Sequence, residues 1–442
     1  MLSFKGEIRP LPYAAASLAL FFSQHLVLLA LFQPKDHMPE LDWAFYVAPF
    51  HSIAQLSTNS KPLLALALPY LLIVAWALAA LSFRRAANAG ISGWIAAAAI
   101  APMIQIPVIL FLCVMPPRAS TAPARPPSTE NASVSMSMAA AQGVIAAMAL
   151  TLVFVAVGAL FFGAYGFGMF VASPFVIGAV TAYIANRKRD LGGGRTVQVV
   201  LLATALGGIA LLVAALEGAV CIIMAAPLGI GVALLGGLLG RAIALRGGSS
   251  TGQTFGAIAL VPLIFVSDWL LPTSTRFDTL QIIEIDAPPH VVWRSFVHMD
   301  LRGDPVALPN RLGLAYPLGG EIIGDGVGAV RLGEFSTGVA IERVTEWIPD
   351  RKLAFVVEQD VPAMRELSPY EHVHAPHVIG YFVTTLTSFE LVPLPGNRTR
   401  LIERTSHELR LEPILYWMPM ARWAVDRNNE RVLTHIRREA EK

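Results

Sequence analysis

Apolar positions fill long unbroken blocks up to about residue 272, and from Thr279 they begin to alternate with polar ones. A helix needs about 20 apolar residues to cross hydrocarbon, because lipid offers no partner to an open backbone group. The blocks predict spans at about 12–32, 62–83, 94–115, 143–163, 167–185, 198–217, 219–240 and 255–272. The first is too long, and too poorly followed by a cleavage site, for a removable signal peptide, so it is expected to stay. Pro102 and Pro107 flank "MIQI" in the third, which marks it as broken or re-entrant. Seven crossings would leave the C-terminal part outside the cytoplasm, and eight would keep it inside. Gly236 and Gly240 form a GxxxG in the seventh span, where a neighbouring helix can approach closely.

The alternating part reads differently. "LQIIEI" predicts a strand, and "DAPPHVVWRSFVHM" a helix with Asp286 as its cap and the prolines in its first turn. Strand patterns follow at about 328–335, 337–347, 352–359, 379–392 and 399–411, separated by turn signals. From Glu412 one long helix is predicted, with Ile414, Trp417, Met418, Ala421, Val425, Val432 and Ile436 as its buried stripe. The fold class is therefore a multi-pass α-helical membrane region followed by an α+β domain.

Composition sharpens the division. The chain has 442 residues, 55% of them hydrophobic and only 14% charged, outside the range of soluble proteins. Residues 1–272 carry 14 Lys/Arg against 8 Asp/Glu, and residues 273–442 carry 19 against 23, so neither part presents the charge of a nucleic-acid partner. Between the third and fourth spans, "PPRASTAPARPPSTENASVS" cannot bury a core and predicts an exposed, disordered linker. The expected domains are 1–117 and 142–274 in the membrane, a linker at 118–141, and a C-terminal domain at 275–442. Lys5, Arg9, the Arg84/Arg85 pair, the basic group from Arg187 to Arg195, and Arg241 with Arg246 favour cytoplasmic loops. His25, Glu217 and Asp268 are the ionisable residues within or beside spans, the last two placed as interfacial anchors. Cys113 and Cys221 read as small core residues.

Two resemblances follow. "SFKGEIR", "SFRRAANAGISGW" and the apolar segment ending in "MPP" make residues 1–117 resemble a bacterial membrane family, domain of unknown function 805. Arg84, Arg85, Gly90, Ser92, Gly93 and Trp94 fit its pattern, while Ala86, Ala87 and Asn88 stand where Leu-His-Asp is typical. The words "IDAPPHVVW", "GAVRLGEFSTG", "RTRLIERTSHELRL" and "VLTHIRR" make the C-terminal part resemble the START/Bet v 1-like superfamily, also called SRPBCC or polyketide-cyclase-like. That resemblance implies a helix-grip fold, a curved antiparallel sheet around the C-terminal helix, with a cavity for lipids or other hydrophobic molecules.

Alternation on 399–411 puts Leu401, Glu403, Thr405, His407 and Leu409 on one face and the charged residues from Arg400 to Arg410 on the other. Glu403 and His407 then point inward, where a carboxylate or imidazole needs a partner or a ligand. "SPYEHVHAPHVIGYF" gathers His372, His374 and His377 near Tyr381, but Pro376 interrupts the run and no Cys/His/Asp set with metal spacing precedes it. Residues 360–378 read instead as a loop over the cavity entrance. Candidate ligand-binding residues are Glu403, His407, Thr405, Tyr381, His374 and Arg365. No catalytic residue, metal or other cofactor is assigned, and no nucleophile elbow, P-loop or dinucleotide fingerprint is present. The expectation is a multi-pass protein of the cell (inner) membrane whose partner is a hydrophobic small molecule or lipid. The alternatives are a cyclase- or dehydratase-type enzyme acting on a hydrophobic carbonyl compound, and a transporter or sensor regulated by the C-terminal domain.

Overall fold

The computed structural model describes residues 6–32, 61–91, 105–118, 134–156, 165–214, 216–246, 261–368 and 376–442, with positions 41, 45–46, 95–96, 99 and 158 between them. They form two compact units, one of residues 1–216 and 224–273, the other of residues 217–223 and 274–442.

In the first unit the helices are α1 (Pro10–Leu31), α2 (Lys61–Ala89), α3 (Gln105–Val114), α4 (Val134–Ala156), α5 (Ser173–Asn186), α6 (Gly193–Val213), α7 (Ala219–Arg246, with its first residues in the second unit) and α8 (Val261–Leu270). Five described helices are long and apolar enough to cross a membrane: Pro10–Leu31, Pro69–Ala89, Gly168–Asn186, Gly193–Val213 and Ala219–Arg246. Of the other expected spans, the described stretch of the third from Gln105 forms the 10-residue α3, which takes Pro107 into its first turn, while Pro102 lies outside the described residues. The fourth is helical to Ala156, and the helix already runs from Val134, so the end of the expected linker is helical rather than disordered. The described part of the eighth forms α8, Val261–Leu270.

Two charged side chains here bond to backbone. Arg85 is fully buried: Nε donates to Leu112 O at 2.9 Å, Nη1 to Asn88 Oδ1 at 2.9 Å, and Nη2 to Met115 O. It thus takes up carbonyls left open at the C-terminal end of α3, a site that favours a cation. Asp268 accepts from Gly168 N at 2.6 Å. Gly178, Gly236 and Gly240 sit where a Cβ would collide with the carbonyls of Ala233, Phe175 and Ala179, so α5 and α7 meet backbone to backbone.

The second unit is an eight-stranded antiparallel sheet in the order β1-β8-β7-β6-β5-β4-β3-β2, curved around a long helix, the helix-grip arrangement. Its strands are β1 (Thr275–Ile285), β2 (Met299–Asp300), β3 (Pro317–Ile323), β4 (Val330–Phe335), β5 (Gly338–Ile348), β6 (Lys352–Gln359), β7 (Phe382–Leu394) and β8 (Arg398–Leu409). Its main helices are α9 (Pro289–Val297) and α11 (Ile414–Ala440), with a single turn, α10 (Leu308–Arg311), between them. Register shifts at Ile341/Glu342 and Val344/Glu346 in β5, and at Thr384/Leu386 in β7, supply the extra twist that bends a sheet. One end of the concave face is packed by Ile285, Trp293, Phe296, Phe355, Phe389 and Leu401 against Val432, Leu433 and Ile436 of α11. Two local expectations change. Asp286 makes no side-chain cap; α9 starts behind Pro288, and Asp286 N donates to Glu441 Oε1 at 3.1 Å. Ala421 is only half-buried, and Asn429 and His435 join the buried side of α11.

Candidate functional site

Three successive inward positions of β8, Glu403, Thr405 and His407, run along the concave face and are 2–4% exposed. Register places Gln281, Thr279 and Phe277 of β1 opposite them on one side, and Phe389, Thr387 and Thr384 of β7 on the other. The period of two explains why polar residues share this face, and the neighbours decide what each can do.

His407 is held on every side. Its Nδ1 lies 3.2 Å from Thr384 Oγ1 and its Nε2 2.7 Å from Thr405 Oγ1. The rings of Phe277 and Phe382 stack on it with centroids at 5.1 and 5.2 Å, and the Arg422 guanidinium lies 4.9 Å from the Phe277 ring centre. Burial pushes the imidazole down to about 4, against a smaller opposing pull from Asp278, so it is neutral at pH 7. The hydrogen-bond chain continues from Thr405 Oγ1 to Thr279 Oγ1 at 2.6 Å, and Asn429 Nδ2 of α11 donates to both hydroxyls at 3.1 and 3.3 Å. Such a chain fixes α11 on the sheet and leaves His407 little freedom to exchange protons.

Glu403 is in the opposite condition. Burial pushes its carboxyl up to about 8, with Arg331 pulling weakly the other way, so it is a neutral acid at pH 7. Among the described residues, Glu403 Oε2 has no hydrogen-bond partner. Arg331 itself is buried and ion-paired with Glu342, and its guanidinium lies 4.5 Å from the Phe355 ring centre. Burial raises the Glu342 carboxyl, and Arg331 opposes the rise. Room for this pair comes from glycines facing each other across β3 and β4: a Cβ on Gly320 would collide with the Arg331 guanidinium, and one on Gly333 would lie 3.1 Å from Glu342 Oε1. The concave face thus combines an apolar wall, a neutral carboxylic acid and a buried guanidinium–carboxylate pair.

The other sequence-predicted residues lie elsewhere or outside the description. Arg365 is exposed, and its backbone N donates to Gly313 O at 2.8 Å. Tyr381 is half-buried just before β7; burial raises its phenol, and its carbonyl accepts from Arg410 N at 2.7 Å. His374 lies outside the described residues. Arg331, Glu342 and Asn429 were not singled out from sequence, although glycines inside strand patterns signal close approach of another group.

Comparison with known proteins bears on each half separately. Residues 1–123 match the family described as "Protein of unknown function (DUF805)". A search of curated proteins found no match. Solved structures resemble the C-terminal part. A protein from Nitrosospira multiformis is 14% identical, over 37% of this chain and 95% of that one, with a TM-score of 0.23. The Aha1 dimer from Colwellia psychrerythraea is 18% identical over 37% and 96%, with a TM-score of 0.22. The Zhui aromatase/cyclase from a Streptomyces species is 16% identical over 38% and 94%, with a TM-score of 0.24. Likeness at this level carries no argument about activity.

Proposed function

We propose that the C-terminal domain of this membrane protein takes up a hydrophobic, carbonyl-bearing molecule between its sheet and α11, and acts on it through Glu403 as an acid. The observation that supports this most is the Glu403 carboxyl, enclosed on the concave face, protonated at pH 7 and with an oxygen that has no partner among the described residues. A neutral carboxylic acid in an apolar site donates a hydrogen bond to a carbonyl oxygen, and donates the proton itself as negative charge develops there. Apolar burial, at roughly 25 cal/mol per Å², would supply most of the affinity. Chemistry of this kind suits a cyclisation or dehydration. His407 acts in positioning: neutral and bonded on both nitrogens, it stiffens the wall beside Glu403.

The second reading is a carrier that holds a lipid or other apolar molecule without changing it. It shares the apolar wall and uses Glu403 only to orient a polar end. A sensor or transporter regulated by such binding is a further form of the same idea. The test begins with small molecules released by denaturing the full-length chain purified in detergent, identified by mass spectrometry. Acid catalysis predicts that Glu403→Gln keeps binding the molecule while turnover falls by about 10²–10⁴. A wild-type chain that binds the molecule and never converts it rejects the catalytic reading in favour of the carrier, and a chain that retains no apolar molecule rejects both.

A further inference from the structure

A second set of buried donors involves none of the β8 residues. Residues 217–223 pack within the second unit, and there the stretch 366–368 lies against the first turn of α7. Ala219 N donates to Leu367 O at 2.8 Å, and Cys221 N reaches Glu366 Oε2 at 3.4 Å, so this segment takes up amides that a helix start leaves open. Gly218 makes the approach feasible, because a Cβ there would collide with the Glu366 carboxylate. His377 enters from the other side. Its Nδ1 lies 3.6 Å from Glu217 Oε2 and its Nε2 3.7 Å from Glu366 Oε1, with all three side chains 4–6% exposed. The Cys221 thiol, also buried, hydrogen-bonds to Glu217.

We propose that Glu217, Cys221 and His377 bind one divalent transition-metal ion of the zinc type. One carboxylate oxygen, one sulfur and one imidazole nitrogen from these residues all lie within 4.8 Å of one another. His377 Nδ1 and Glu217 Oε2, 3.6 Å apart, match the spacing of donors on one ion, since bonds of about 2.1 Å in a tetrahedron separate ligands by roughly 3.4 Å. Thiolate, imidazole and carboxylate together select zinc over magnesium or calcium, which take oxygen ligands. Binding through Nδ1 turns Nε2–H toward Glu366, the carboxylate that then orients the ring from behind. The thiol proton leaves as the metal enters. Three protein donors leave the fourth position of a tetrahedral ion open to water. No spacing in the sequence announces the set, because Glu217 and Cys221 come from the start of α7 and His377 from the segment before β7.

The test uses the untagged full-length chain in detergent, stripped with chelator and dialysed against zinc or cobalt. One zinc per chain is expected, and the cobalt form should show a thiolate-to-cobalt charge-transfer band. Cys221→Ser should abolish that band, Cys113→Ser should leave it unchanged, and Glu366→Gln should keep it while weakening metal affinity about 10–100-fold. The chain has two cysteines, so a band in Cys113→Ser arises from Cys221 even if the Cys221 variant does not fold. Zinc below about 0.1 equivalent in the wild type after dialysis, or a charge-transfer band that survives Cys221→Ser, overturns the proposal.

Discussion

Replacing Glu403 with Gln removes one titrating proton while nearly preserving the shape of the side chain. Burial raises the Glu403 carboxyl from its ordinary 4.5 to about 8. Between those values the folded chain binds a proton that the unfolded chain has released, so stability falls as pH rises, by about 1.4 kcal/mol per pH unit. His407 runs the other way, because burial lowers its imidazole from 6.5 to about 4. Its contribution is present above pH 6.5 and is lost as pH falls toward 4, with the same slope and opposite sign. From these two groups the wild type should be level between about pH 4.5 and 6.5 and lose about 2 kcal/mol from there to pH 8. Without Glu403 the decline disappears, and the advantage of E403Q over the wild type should grow by about 3 kcal/mol from pH 5 to 7.5. Denaturant unfolding of both full-length chains in detergent, followed by tryptophan fluorescence, measures the difference; the second unit carries Trp293, Trp347, Trp417 and Trp423. A difference independent of pH would show that Glu403 titrates alike in the folded and unfolded states, and that burial does not raise its carboxyl.

Arg331→Met should destabilise the second unit by about 3–5 kcal/mol by stranding Glu342, whereas Arg331→Met with Glu342→Leu should come close to wild type in the same unfolding assay. Asn429→Ala removes the donor shared by Thr279 and Thr405 and should cost about 1–3 kcal/mol. Gly240→Ala forces α7 away from the Ala179 carbonyl; it should cost about 1–3 kcal/mol and appear as earlier loss of the monodisperse peak when detergent-solubilised protein is heated.

Parts of this fold are local and could be read from the pattern. The alternation from Thr399 to Leu409 lines up the inward face of β8, and the apolar stripe from Ile414 outlines α11. What the inward residues do depends on partners far away in sequence. His407 is satisfied by Thr384 from the neighbouring strand and by Thr405, whose hydroxyl meets Thr279 and Asn429 from β1 and α11. No periodicity reveals those contacts. Strand β3 is not among the expected strands: Pro317, Gly319 and Gly320 interrupt the alternation of apolar and polar positions, although Gly320 is small there to admit Arg331. The same holds for His377: among the other histidines it reads as part of a loop, and Glu217 as an interfacial anchor, until the fold brings them together. Arg85 likewise reads as a positive charge at the membrane surface, whereas its burial follows from the open carbonyls at the end of α3.

Infrared spectroscopy reports the state of the Glu403 carboxyl directly. Difference spectra of wild type minus Glu403→Gln should show the carbonyl stretch of a protonated acid at pH 7, disappearing on titration with a midpoint of about 8 and shifting when the co-purifying molecule is restored. A carboxylate signal already present at pH 6, or a band indifferent to that molecule, would contradict the acid role of Glu403.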